Sequence, residues 1–258
     1  VYKIPEASRQ AKGKAIVNLV NLLPGEKIEA ILPVKEFKEN EYIMMVTRGG
    51  TVKKTALSEF SNVRASGIIA ISIDADDELV SAKITNGKNE VLVSSKDGMA
   101  VRFVEEDVRA MGRGARGVSG MNLDEGDRVV SMEILDPSNT AYEILTITEM
   151  GYGKRTPVSE YRLVNRGGKG VITIKTNERN GAVISCKQIL PKDDLMMVSN
   201  KGQMIRIKVG DISEQGRNTQ GVRLMSVVAG EKVVACEYLA EEAEIAGEEA
   251  NEPTEGNA

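Results

Sequence analysis

Short runs of alternating apolar and polar residues recur along this chain, four to a unit, each unit divided by glycine turns. In the unit around Gly117 the runs are Val91 to Ser95, Ala100 to Phe103, Val118 to Leu123 and Val129 to Ile134. A period of two is the signature of a packed β-strand. Lys96-Asp97-Gly98 joins the first two runs, and its glycine can take the positive φ of a tight hairpin. Asp124-Glu125-Gly126-Asp127 joins the last two as a polar breaker. Comparable connections stand at Arg48-Gly49-Gly50, Asn177 to Gly181, Asn200-Lys201-Gly202 and Ala229-Gly230. Between hairpins runs a longer charged arm, such as Val104 to Arg116, with room for one helical turn at most.

The runs repeat. Gly13, Gly67, Gly117, Gly170 and Gly221 each open one, at separations of 54, 50, 53 and 51 residues. A second landmark keeps step: four residues after a turn glycine comes a cation, at Lys54, Arg102, Arg155 and Arg206. Six residues further on lies an apolar or aromatic side chain, at Phe60, Val108, Tyr161 and Ile212. Four strands in about fifty residues, copied side by side, predict an all-β, propeller-like ring of four-stranded blades. Five units are visible, and Val1-Tyr2-Lys3 already matches the stretch that ends at the cation. The strand and turn before it are therefore expected upstream. The repeats predict one β domain over residues 1–239.

Composition narrows the chemistry. Aromatic residues make up 3% and tryptophan and histidine are absent, so Val, Ile, Leu and Met must build the core. The methionine pairs Met44-Met45 and Met196-Met197 read as strand packing, and Cys186 and Cys236 as small buried strand residues. Without histidine the commonest general base and imidazole metal sites are excluded, which disfavours a propeller hydrolase. Gly112 to Gly117 fits G-x-G-x-x-G but leads into a strand, the wrong context for a dinucleotide. Asp74 to Glu78 lacks the glycine and distal glutamate of a calcium loop. No metal or cofactor is expected. With no signal segment and no apolar run long enough to span a bilayer, the reading is cytoplasmic.

Charge is uneven. The net value is −4, yet eight of the 38 acidic residues fall from Glu237 onward, where no lysine or arginine stands. The first 236 residues then hold 34 basic against 30 acidic groups, or +4. Residues 240–258 are expected to be a disordered acidic tail. On the arms the cations return in register: Arg9 and Lys12, Arg64, Arg109 with Arg113 and Arg116, Arg162 with Arg166 and Lys169 around Gly167-Gly168, and Arg217 with Arg223. With Lys54, Arg102, Arg155 and Arg206 they make the candidate nucleic-acid-binding set. Positive charge spaced evenly around a ring suits a polyanion bent along it, and duplex DNA is the obvious one.

Several segments resemble the C-terminal domain of the bacterial DNA gyrase A protein. They are Ile4-Pro5-Glu6 before Ala11-Lys12-Gly13, Gly151-Tyr152-Gly153-Lys154-Arg155-Thr156-Pro157, Tyr161-Arg162 with Arg166-Gly167-Gly168-Lys169-Gly170, Thr219-Gln220-Gly221-Val222-Arg223-Leu224, and the acidic tail. The resemblance covers essentially the whole chain, and the related C-terminal domain of topoisomerase IV is the near alternative. It implies a β-pinwheel, whose blades exchange strands, and a non-catalytic role in wrapping DNA on the basic perimeter for negative supercoiling. It also implies, as partners in a heterotetramer, the breakage-reunion part of the same polypeptide and a separate ATPase protein, with ATP and magnesium used there. In the family the defining box, a glutamine and a cation before Arg-Gly-Gly-Lys-Gly, lies in the first blade. Here Val164-Asn165 precede the copy, so a leading blade is expected outside this sequence. A protein-binding propeller is the other reading, although it calls for an exposed aromatic patch that so few aromatics supply poorly.

Overall fold

The computed structural model describes residues 8, 11–13, 15, 18, 20, 22, 26–62, 64 and 67–239. The expected tail at 240–258, the incomplete unit around Lys3, and Arg9 lie outside the described residues. The first described unit gives β1 (Tyr42–Thr47), β2 (Thr51–Ala56) and β3 (Leu79–Thr85). The next gives β4 (Glu90–Ser95), β5 (Met99–Val104), a two-residue β6 (Val118–Ser119) and β7 (Val129–Leu135). A third gives β8 (Glu143–Thr148), β9 (Tyr152–Pro157), β10 (Val171–Ile172) and β11 (Val183–Ile189). The last gives β12 (Asp194–Ser199), β13 (Met204–Lys208), β14 (Val222–Arg223) and β15 (Val233–Leu239). All pair antiparallel.

Each short strand leaves its own unit for the blade before it. The sheets run β3-β1-β2-β6, β7-β4-β5-β10 and β11-β8-β9-β14, so β6, β10 and β14 complete the preceding blades. The fourth sheet, β15-β12-β13, has three strands among the described residues. The run predicted over Val118 to Leu123 holds the ladder only at Val118 and Ser119. Beyond them Gly120 and Met121 both donate to Gly50 O, at 2.8 and 3.2 Å, and wrap the β1–β2 turn instead. The same wrapping recurs where Thr173 and Ile174 donate to Gly98 O and Leu224 and Met225 to Gly151 O.

The repeated glycines mark these crossings. Gly170 has φ +79, and a Cβ there would lie 2.0 Å from Ala100 O of the acceptor strand. At Gly117 the corresponding approach is 2.6 Å from Val52 O. No L side chain fits so close to a neighbouring carbonyl in that conformation, which explains the glycines Gly117, Gly170 and Gly221, whereas a Cβ at Gly13 would meet nothing within 4 Å.

The strands β3, β7, β11 and β15 pack in succession on one another and so line the inside of the array. The exchanged strands form its outer edge. Among the described residues, three cores fill the gaps between blades. Met44, Val46 and Val52 meet Val91, Val93, Phe103 and Val108; Leu92 and Leu135 meet Ile144, Tyr161, Val183 and Cys186; Leu145 and Ile147 meet Leu195, Met197, Val209 and Cys236. Successive residues of β4 and β8 thus point to different cores, so these strands are buried along their whole length. Both methionine pairs and both cysteines lie in strands as expected, with Met44, Met45, Met197, Cys186 and Cys236 buried, whereas Met111, Met121, Met150 and Met225 lie outside the strands.

Candidate nucleic-acid interface

The cation four residues past each turn glycine does not face solvent in the first three blades. Lys54 is buried, donates to Glu105 O at 3.1 Å, pairs with the Glu105 carboxylate at 3.6 Å and lies 5.2 Å from the Tyr42 ring centre. Arg102 binds Glu90 and donates to Val158 O and Tyr161 O at 2.9 and 2.8 Å. Arg155 binds Glu143 and donates to Ile212 O at 2.7 Å. In each case the acceptor carbonyl belongs to the next unit, whose arm bridges back to the same residue: Lys54 to Ala110, Arg102 to Leu163, Arg155 to Glu214. These three side chains are clasps between blades. Their assignment to DNA is corrected, because their donors are used up inside the protein. Arg206, at the equivalent place in the fourth blade, is exposed and among the described residues pairs with Asp194.

A second repeated cation, four residues before each crossing glycine, joins neighbouring arms at the outer edge. Arg113 donates to Ile69 O at 3.4 Å, Arg166 to Ser119 O at 2.9 Å and Arg217 to Ile172 O at 3.0 Å. Each acceptor lies two residues past the crossing glycine of the preceding unit. Arg166 also donates to Asp107 O at 2.9 Å. Gly167 N donates to Gly120 O at 2.7 Å and Gly168 O accepts from Asn122 N at 3.0 Å. The paired glycines therefore fasten arm to arm, and the Gly167 N–H is engaged within the protein. A guanidinium has five donors in a fixed fork, so one held by a carbonyl keeps donors for a further partner; Arg217 Nε also lies 3.9 Å from the Glu160 carboxylate.

Beneath two of these arms lies a buried lysine that the repeat does not predict. Lys53 donates to Ala70 O at 2.6 Å and to Arg113 O. Lys154 donates to Gly216 O, Arg217 O and Thr219 Oγ1 at 2.5, 2.6 and 3.1 Å. The ammonium draws the arm's carbonyls inward. Desolvation pushes Lys154 down to about 8, helped by Arg217 and opposed by Glu160 and Cys186.

The other predicted cations divide by partner. Arg109 and Arg162 are exposed, and their side chains make no hydrogen bond or ion pair among the described residues. Arg64 is exposed beside a cleft of about 460 Å³ that Arg113 also lines. Lys12 is exposed in a segment without strand structure. Arg116 pairs with Asp74 and Lys169 with Asp124, all four exposed. Exposed pairs of this kind exchange readily for a stronger anion, since each is worth about 0–1 kcal/mol. Arg223 lies on β14 and donates to Tyr152 Oη, as does Arg179, which the repeat pattern did not single out.

A family model described as the DNA gyrase C-terminal domain, beta-propeller, matches residues 1–35, 41–86, 89–136, 142–189 and 193–238. The chain belongs to this family. The five matches fall on the five units read from the glycine period. The DNA gyrase A protein of Salmonella typhimurium is 48% identical over 241 residues, covering 93% of this chain and 27% of the relative. That of Haloquadratum walsbyi is 46% identical over 230 residues, or 88% and 27%. The chain spans about a quarter of the length of these relatives. Among solved structures, the C-terminal domain of DNA topoisomerase IV matches with TM-score 0.82 at 29% identity, over 88% of this chain and 70% of that one. A DNA gyrase A C-terminal domain matches with TM-score 0.78 at 29% identity, over 89% and 76%. The gyrase C-terminal fold therefore accounts for the blade array and its exchanged strands. Among the described residues, no helix is long and apolar enough to cross a membrane, and no group of three or more His, Cys, Asp or Glu is placed to hold a metal.

Proposed function

We propose that this gyrase C-terminal domain bends duplex DNA around its outer edge and so presents a segment for strand passage by a type IIA topoisomerase. The reading extends to negative supercoiling as part of DNA gyrase. In it, the breakage-reunion part of the same polypeptide and a separate ATPase protein complete a cytoplasmic heterotetramer, and ATP and magnesium act there. The domain itself contributes no catalytic group and needs no cofactor.

One observation carries this. Successive arms are zipped side by side along the exchanged strands, with Arg113, Arg166 and Arg217 in register at each junction and Arg109 and Arg162 free beside them. Such a belt meets phosphates at intervals and reads no bases. Bending a site of 20–30 base pairs costs on the order of 1–6 kcal/mol, so contacts must be spread over several blades.

The test is to close a nicked circle on the protein and count the change in linking number. A positive shift is expected, with Arg109→Glu and Arg162→Glu together reducing both the shift and the affinity while thermal stability stays at the parent's. No shift, or an undiminished one in the double variant, would refute the belt.

A further inference from the structure

Tyr152 opens β9 on the outer side of the third blade, and in the exchanged strand Arg223 is its direct cross-strand partner. The phenol ring is buried, with 4% of the residue exposed. Its oxygen accepts from Arg223 Nε and Nη2 at 3.3 and 3.0 Å and from Arg179 Nε at 3.3 Å. The two guanidinium carbons lie 4.9 Å (Arg179) and 5.6 Å (Arg223) from the ring centre. Two cations therefore converge on one neutral oxygen. Among the described residues neither forms an ion pair, whereas the exposed Arg116, Lys169 and Arg206 each have a carboxylate. Like charges this close repel unless an anion lies between them, and a phenol oxygen supplies only a dipole.

A cleft of about 140 Å³ adjoins them, lined by Met150, Tyr152, Arg179, Arg223, Ser226 and Val227. We propose that Arg179 and Arg223, held on Tyr152, form a two-guanidinium seat for one backbone phosphate of a duplex lying on the third blade. The proposal rests on the wrapping reading above and adds a fixed point to it. The seat is not repeated: Thr51, Met99 and Gln203 stand where Tyr152 does in the other blades, and Ser119 and Ile172 stand where Arg223 does. A periodic belt lets DNA slide by a phosphate. A single strong seat sets where it stops. The hydrogen bonds from Arg179 and Arg223 hold the Tyr152 phenol below its ordinary value, as expected where cations meet no counter-charge.

The experiment measures affinity of the full chain for a long labelled duplex across a salt series. For Arg179→Gln with Arg223→Gln, the slope of log affinity against log salt should flatten by about 0.9, the value for one phosphate. Affinity should fall on the order of ten- to a hundred-fold, as for charge-assisted hydrogen bonds to one anion. Tyr152→Phe keeps both charges but removes their shared acceptor, and a smaller loss with an unchanged slope is expected. A slope change of about 1.8 would mean two separate phosphates and would overturn the shared seat. Parental slope and affinity in the double glutamine variant would also overturn it, as would occupation of the cleft by the chain's own C-terminal glutamates, which leaves DNA binding no weaker. Arg109→Glu with Arg162→Glu runs in parallel: if that pair weakens binding and the glutamine pair does not, the seat alone fails. If the parent shows no salt-dependent binding, both readings fail.

Discussion

Lys154 shows what burial does to a charge that a linear reading places on the surface. It stands in a strand between Gly153 and Arg155, and its ammonium reaches two carbonyls and a hydroxyl of the arm that carries Arg217. Its pKa lies at about 8 against an ordinary 10.5. Between those values the unfolded chain binds a proton that the folded chain does not, so unfolding free energy rises with pH across this window. The slope approaches about 1.4 kcal/mol per pH unit for one group. Below pH 8 both states are charged and the contribution is flat, with the charge a cost to folding. Buried Cys186 and Cys236, whose thiols burial pushes up, contribute the opposite slope, and buried Lys53, pushed down, the same one. Urea unfolding from pH 7.5 to 10 is therefore expected to give the parent a more positive slope than Lys154→Met, the difference approaching about 1.4 kcal/mol per pH unit. An identical slope in both proteins would place the titration elsewhere. Nothing in the repeat marks Lys154 or Lys53, since Val101 and Ile205 occupy the same place in the other blades. Only the arm folded over the strand supplies the carbonyls.

At the scale of elements, the two repeated cations look alike in one dimension and do opposite work in three. The position four residues past the turn glycine clasps the next unit, and the position four residues before the crossing glycine joins arms at the rim. Arg102 is the clearest clasp, with Glu90 and two carbonyls of the following unit on one guanidinium. Arg102→Met would strand a largely buried Glu90, a loss of about 3–5 kcal/mol, seen as a lower urea midpoint. DNA affinity of the folded fraction is expected to match the parent's. A variant of parental stability with weakened DNA binding would return Arg102 to the interface. A signal for the clasp was present in the sequence: each such cation follows an acid or aromatic by twelve residues, as Tyr42 and Lys54, Glu90 and Arg102, Glu143 and Arg155, Asp194 and Arg206. That spacing is the two arms of one hairpin. Strands, turns and the fifty-residue period were legible because alternation and glycine carry them locally. The destination of β6, β10 and β14 was not, because pairing with one's own unit or with the previous one demands the same residues. Resemblance to the family supplied the exchange. Arg179 escaped notice because its loop, Asn177 to Gly181, reads as a plain turn until it is folded against Tyr152.

For the whole molecule, the balance of charge decides how strongly a rim of modest contacts can hold a stiff polymer. Clasps engage three cations, and acidic neighbours engage Arg116, Lys169 and Arg206, so fewer free charges face outward than composition suggests. The C-terminal glutamates then matter in proportion. Glu237 is already held by Lys187 at 2.8 Å. The seven beyond it carry no compensating lysine or arginine, and removing them from a chain of net charge −4 leaves +3. Carboxylates tethered to the same chain are expected to compete electrostatically with phosphates for the rim. The reach of that competition is about 30 Å at 0.01 M salt and about 10 Å at 0.1 M. A chain ending at Ala240 is therefore expected to bind a long duplex more tightly than the full chain at low salt, with the two curves converging as salt rises. Steeper salt dependence in the shorter chain would then reflect only the loss of that low-salt competition, because the number of phosphates neutralised at the rim is the same in both. Equal affinity at 0.01 M would show that the glutamates act on solubility alone, and a parallel offset at every salt concentration would show that they block the rim sterically.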